Sequence, residues 1–395
     1  MRNKHILSTL LCITLLLLAL AGCADPAADP YDYDPDNGTP VDIENGPSPN
    51  VNENGSEPGI GSSVGIDFDA AYETFSPDTV MIKSNDIVVT WAEMYSFLFR
   101  PVSQLVYSSQ TAIDWFEVVF DDITYGDLVL DFATEDALSF MVFEYGAKDR
   151  NVSLSADDLD MLSDYLHSLV DMLGGQDAFD AAIRENTGIF DFDVYLRLFK
   201  AEHLRSLIMV DLYGDDADSF PDELVSDYAQ RNNYMMAKHI LITYTGGDRD
   251  ALREIEDIFT QLNRQLGSND FFDFFDTMMH EHSEDPGALY SFPDGYLFQP
   301  QDMVLPFSLA CAALEPGQLS DIVETDYGYH IILRLPLDYD AVPVSLASTG
   351  YDRSLRQLAA VEDFEEVFLR WREALNPVFT PEYYSIDIAT LFNWQ

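Results

Sequence analysis

Two histidines stand where this chain reads as β-strand: His239 in "MAKHILI" and His330 in "YGYHIIL". Each is followed by two aliphatic residues, and the two segments open and close a stretch in which strand and helix patterns alternate. Strands at the two ends of a small sheet commonly neighbour each other, so the rings can fall on one face of paired strands, close enough to bond. From spacing alone, a functional pair and two strand histidines without a role both stay open. The other five histidines compete poorly. His5 lies in an apolar leader, and His167 and His203 lie among helical residues. His280 and His282 sit two apart on a predicted helix, where the rings point away from each other and cannot share one ion. No G-x-x-x-x-G-K-[ST] or G-x-G-x-x-G phosphate loop occurs. No metal and no cofactor is expected.

The elements around the pair read as α+β. "MAKHILITY" is a strand; "RDALREIEDIFTQLNRQLGS" is a helix ended by Gly267, and "DFFDFFDTMMHEHS" is a second helix. A Pro/Gly loop over 285–302 follows, then a short helix in "MVLPFSLACAALEPG" and the returning strand. Upstream, "TVMIKSNDIVVTWAEMYSF" reads as strand, Asn-Asp turn, strand and a helix opened by the capping box Thr90 to Glu93. From there to about Arg231 the signals are helical, including a helix capped by Ser155 and stopped at Gly174. After Pro336 a last helix carries Leu355, Leu358, Phe364, Phe368, Trp371 and Leu375 on one stripe. It is expected to fold back on the N-terminal helices, leaving the α+β stretch as an insertion.

"AKHILI", "HSEDPG", "PDGYLFQPQDMVLPF" and "LEPGQLSDIVETDYGYHII", in this order over 235–336, resemble the parvulin family of peptidyl-prolyl cis/trans isomerases. The wider arrangement resembles the PrsA/SurA-type extracytoplasmic foldases. The resemblance implies a parvulin domain over 234–337, a small antiparallel sheet with surrounding helices. It would be inserted in a mainly helical SurA-like chaperone domain made of 67–233 and 338–395. It further implies that His239 and His330 are the paired central-strand histidines and that Asp285 faces the substrate amide. Met303 and Phe307 would grip the substrate proline ring with Phe298 beside them, and Thr325 and Tyr327 would be the hydroxyls that bond the histidines. In two places the chain departs from the family. Gly295 falls where an apolar wall residue is usual, with Tyr296 or Leu297 as its substitute. The loop after the first strand lacks a basic cluster, Arg249 and Arg253 being a poor phosphate clamp, so phosphorylated substrates are not expected.

Charge and the N-terminus narrow the setting. The 395 residues carry 70 Asp and Glu against 20 Lys and Arg, a net of −50, which disfavours nucleic acid and anionic lipid headgroups and favours cationic segments of unfolded chains. Arg2 and Lys4 precede an apolar run from Ile6 to Leu20, shorter than a comfortable membrane span, which ends in "LAGC". That ending resembles the bacterial lipobox, implying a signal peptide over 1–22, acylation of Cys23 and extracytoplasmic anchoring to the bacterial cell membrane. Residues 23–66, rich in Asp, Asn, Pro, Gly and Ser, read as a flexible acidic stalk. Of the remaining cysteines only Cys311 outlasts the leader, and its helical spacing reads as a small buried hydrophobe.

The expected function is therefore a lipid-anchored isomerase and foldase acting on unfolded or newly exported polypeptides with Xaa-Pro bonds. A non-catalytic holdase with a degenerate parvulin fold is the alternative, and a homodimer is compatible with either. Trp91, Tyr95, Phe97, Phe99, Phe192, Tyr195 and Phe199 are candidates both for the helical core and for a substrate cradle.

Overall fold

The computed structural model describes residues 65–109, 112–244, 248–347 and 352–393. Cys23, the leader and almost all of the stalk lie outside the described residues. Among those described, no helix is long and apolar enough to cross a membrane. The chain divides into two compact units, one running to Ile208 and taken up again from Val367, the other spanning Met209–Glu366.

The first unit is mainly helical. Strands β1 (Val80–Ser84) and β2 (Ile87–Thr90) pair antiparallel across a turn in which Asn85 takes positive φ. The helix Trp91–Ser108 follows at once, its first turn closed by the reciprocal Thr90 and Glu93 bonds of a capping box. Glu93 is 2 % exposed, and its charge is met by Arg197, whose guanidinium also binds Glu144 at 3.1 Å and the Val88 carbonyl at 3.0 Å. Such a carboxylate is tolerable inside a protein only because it is paired and hydrogen-bonded. Trp91, Tyr95, Phe99, Tyr195 and Phe199 are buried, so these members of the aromatic set form core. A small hairpin, β3 (Val118–Phe120) with β4 (Ile123–Thr124), interrupts the helical run before the long helix Tyr125–Arg150.

The helix Leu355–Leu375 brings its last turns against Tyr125–Arg150. Phe368 meets Phe143 with ring centroids 5.4 Å apart, the Trp371 indole donates to Asp149 at 3.0 Å, and Arg372 grips Glu135. The strand Val378–Phe379 then pairs with β1 on the edge opposite β2.

The second unit is built on one antiparallel sheet. Its strands are β5 (Met235–Thr243), β6 (Tyr296–Phe298), β7 (Val323–Thr325) and β8 (Gly328–Leu335), in the spatial order β6-β5-β8-β7. The first and last of the expected strands are indeed central neighbours. The two outer strands come from stretches that sequence patterning leaves as loop, because at three residues each they are too short to show a period. The helices Asp248–Gln265, Phe271–His282 and Leu305–Ala312 surround the sheet. Ile255, Ile258, Leu262, Phe275 and Met279 close with Ile240, Ile331 and Leu333 into a core from which water is excluded.

Gly146 touches the Trp371 ring so closely that an added Cβ would lie 2.5 Å from two of its carbons. Gly146→Val is expected to lower unfolding free energy by about 1–3 kcal/mol, the ordinary cost of overpacking, as measured by urea unfolding. An unchanged midpoint would refute this contact.

Candidate active site

Strand register brings the histidines together. In the β5–β8 ladder His239 lies opposite Ile332 and His330 opposite Leu241. The two histidines are therefore diagonal neighbours on one face of the sheet, where long side chains reach each other. Their ring centroids are 5.3 Å apart and each residue is 5 % exposed. Gly328 makes this start of β8 possible: its φ is +151°, and a Cβ there would sit 2.1 Å from the Ile242 carbonyl oxygen. Only glycine lets the backbone cross β5 so tightly two residues ahead of His330.

Asp285 reaches the pair from a segment clamped to the free edge of β5. Ser283 Oγ accepts from the Leu241 N–H at 3.2 Å, the Glu284 N–H donates to the Leu241 carbonyl at 2.8 Å, and the Glu284 carboxylate accepts from the Thr243 N–H at 2.7 Å. So held, Asp285 accepts three hydrogen bonds: His239 Nε2 at 2.9 Å, the Tyr296 hydroxyl at 2.8 Å and the Gly287 N–H at 2.9 Å. Burial pushes its carboxyl upward, but the donors outweigh this and bring the pKa down to about 2. An ionised carboxylate only accepts, so His239 Nε2 carries its proton toward Asp285. Burial beside an anion pushes the Tyr296 phenol well up, which keeps it a donor.

His330 is the neutral end of the array. Burial, reinforced by His239, depresses its pKa to about 3 against the partial relief that Asp285 supplies. Its Nε2 lies 2.9 Å from Thr325 Oγ1, which also accepts from the Tyr327 N–H at 3.1 Å. The Nδ1 atoms of both rings are buried with no hydrogen-bond partner among the described residues.

Aromatic surface surrounds the rings. Tyr296 stacks on His239 with centroids 5.5 Å apart, and Phe307 stands edge-on to His239 at 5.1 Å and to His330 at 5.6 Å. Phe298, 0 % exposed, backs Phe307 at 5.8 Å and so supports this surface from behind. Met303 is half-buried just before the helix that carries Phe307. Beside Thr325 a cavity of about 460 Å³ is lined by Tyr244, Val304, Pro306, Glu324, Thr325 and Asp326, with two carboxylates and no cation. Cys311 is buried, its thiol pushed up by burial, with an Arg334 guanidinium nitrogen 3.3 Å from the sulfur.

Of the residues singled out from sequence, His239, Asp285, His330, Phe307 and Thr325 thus converge. Tyr327 differs from its expected role: its ring is 63 % exposed, and it contributes a backbone N–H to Thr325. The sequence reading weighs Tyr296 only as an apolar wall and misses its hydroxyl bond to Asp285. The "YLF" run after Pro-Asp-Gly was the signal, a short strand beginning one residue past a turn. Gly295 supplies that turn at φ +117°.

Residues 239–335 match the rotamase family model, described as the PPIC-type PPIASE domain. The chain is similar to "Foldase protein PrsA" of Geobacillus sp. (strain WCH70), 31 % identical over 147 residues that make up 36 % of this chain and 48 % of the relative. It is also similar to "Chaperone SurA" of Nitrosospira multiformis, 28 % identical over 149 residues, 37 % of this chain and 31 % of that one. The chain thus spans about half the length of the PrsA relative, and less of the SurA one. The crystal structure of PrsA from Bacillus subtilis aligns with 64 % of this chain and 87 % of its own length, at 20 % identity and a TM-score of 0.23. A superposition that loose says nothing about the site.

The two shifted pKa values set a pH dependence of stability. Between pH 6.5 and about 3 the unfolded chain binds a proton that buried His330 refuses, so its contribution is whole above pH 6.5 and is lost as pH falls through 3. Asp285 acts in the same sense between 3.8 and about 2. Urea midpoints measured at pH 7, 5 and 4 are expected to fall with acidity, and His330→Phe is expected to flatten that slope. Equal slopes in the two proteins would show that His330 carries none of it.

Proposed function

We propose that this chain, with its PPIC-type rotamase domain and its likeness to PrsA and SurA, is a peptidyl-prolyl cis/trans isomerase. It assists the folding of exported polypeptides outside the cytoplasm, held to a membrane by acylation of Cys23. In this reading residues 234–337 are the catalytic domain, and 67–233 with 338–395 are the region that holds unfolded clients. The observation that carries it is the Asp285 carboxylate, fixed by His239, Tyr296 and Gly287 beside a dry aromatic surface.

Rotation about an Xaa-Pro bond breaks no covalent bond. Its barrier, about 18–20 kcal/mol, is the loss of amide resonance, and unaided turnover takes tens to hundreds of seconds. Neither nucleophile nor metal is required. A planar amide carries partial negative charge on oxygen and partial positive charge on nitrogen, and both fade as the bond twists. A fixed anion near the carbonyl oxygen therefore penalises the planar form more than the twisted one. That differential effect is what lowers a barrier. The anion can do this because it is desolvated and already oriented, so little reorganises during rotation. Half-buried Met303 offers the proline ring apolar surface without competing hydrogen bonds, and Phe307, 2 % exposed, packs against the histidines.

In this reading Thr325 holds the neutral His330, whose ring packs against His239 at 5.3 Å between centroids, and His239 in turn bonds Asp285. No residue here needs to transfer a proton. The competing reading, an inert fold serving only as a holdase, draws on Gly295 in place of an apolar wall. Tyr296 stacked on His239 restores that surface.

Exchange between cis and trans forms of an unphosphorylated Xaa-Pro peptide, followed by NMR, tests the proposal. Catalysis is expected, lowered about a hundredfold in Asp285→Ala, which removes the fixed charge. Met303→Ala is expected to lower it about tenfold through lost apolar contact. Folded protein without acceleration would leave the holdase. A phosphoserine before the proline is expected to slow turnover, because Glu324 and Asp326 face the cavity beside Thr325; faster turnover would contradict that substrate choice.

A further inference from the structure

The first unit exposes one apolar strand that its own fold does not cover. In the β3–β4 hairpin and the residue leading into it, Phe116 is 73 % exposed, Val118 56 %, Val119 44 % and Phe120 64 %. Val118, Val119 and Phe120 make up β3, whose register against β4 shifts between Val118 and Phe120, and Phe116 stands in the turn that leads into it, where the Glu117 N–H donates to the Asp114 carbonyl at 3.0 Å. Among the described residues the sheet has two strands, and no strand pairs with the far edge of β3. Exposed apolar edges invite pairing by another chain and are usually shortened or covered.

The hairpin is nonetheless firmly seated. Trp115, directly before it, is 5 % exposed and donates its indole N–H to the Phe392 carbonyl at 2.8 Å. The Gly126 N–H returns to the Trp115 carbonyl at 3.0 Å, and the Tyr125 N–H to Glu117 at 3.1 Å. Capping bonds between Thr124 and Asp127 then lock the far strand into the next helix.

Charge selects the occupant. Asp114, Glu117, Asp121, Asp122 and Asp127 are all exposed around the apolar strip, and no Lys or Arg occurs between Arg100 and Lys148. A second copy added edge to edge would set these carboxylates against their own kind, and an anionic lipid surface would meet the same repulsion. An extended strand with apolar residues on one side and Lys or Arg beside them would meet both features at once.

We propose that β3 is a docking edge for unfolded polypeptide, bound by strand addition and selective for apolar stretches interspersed with basic residues. The edge belongs to the first unit, the isomerase residues to the second. The identification of the occupant as an unfolded client rests on the foldase reading, whereas the binding itself does not require proline or catalysis.

The test uses fluorescein-labelled peptides without proline: a nine-residue alternation of Lys and Val, the same with Ser for Val, and the same with Glu for Lys. Binding to the purified protein is followed by anisotropy. The Lys/Val peptide is expected to bind, and Phe116→Ser/Phe120→Ser to weaken it about tenfold, the scale of losing two aromatic contacts, with unfolding midpoint and peptide isomerisation unchanged. The Lys/Ser and Glu/Val peptides are expected to bind weakly to both proteins. Equal Lys/Val affinity in wild type and variant would overturn the proposal. So would equal binding of the Lys/Ser peptide, which would mean a diffuse charge effect. A wild-type dimer that the variant renders monomeric, with peptide binding retained, would reassign the edge to self-association. Loss of isomerisation in the wild type leaves this test untouched, since none of the probes contains proline.

Discussion

Everything at the candidate site hangs on the antiparallel register between β5 and β8. Because His239 faces Ile332 and His330 faces Leu241, both imidazoles are forced onto one side of the sheet and into a space with almost no water. Slipping either strand by one residue would turn one ring to the opposite face and dissolve the array. Burial then decides protonation. His330 is held neutral, and Nε2 of His239 is met by an anion. The anion is affordable there only because Tyr296 and the Gly287 N–H join His239 in satisfying it. Backbone geometry thus creates the electrostatics of the site, on which the proposed isomerisation rests.

The helical unit is organised by the same rule applied to packing. Glu93 inside it is paired with Arg197 and tied to the N-terminus of its own helix. Its aromatic residues are largely consumed by the core. That is why the apolar strip at Phe116–Phe120 stands out: it is exposed on a seated hairpin amid carboxylates that discourage self-pairing.

Sequence carried the central strands well, since nine and eight residues of near-continuous aliphatic character around His239 and His330 have few other readings. Helix boundaries with a definite chemical stop were equally legible: Ser155 caps its helix and Gly174, at φ +96°, ends it. Short pairings were not. β6, β7 and the β3–β4 hairpin have two or three residues each, and only tertiary contact makes them strands. Missing β6 meant missing what Tyr296 does. Its hydroxyl lies near Asp285 only because Ala237 pairs with Tyr296 while 283–285 clamps the same strand further along. The resemblance to parvulins named Tyr327 as a hydroxyl for the histidines. In this chain Thr325 takes that bond, and the Tyr327 ring points to solvent.

The most direct test of the account is a double-mutant cycle on the isomerisation rate, combining Asp285→Asn with Tyr296→Phe. If the tyrosine acts by holding the aspartate as a fixed anion, each single change slows turnover, and Tyr296→Phe adds nothing once Asp285 is neutral. Fully additive effects would contradict this, since the phenol would then act on the substrate by itself and the Asp285 anion would not be the centre of the site.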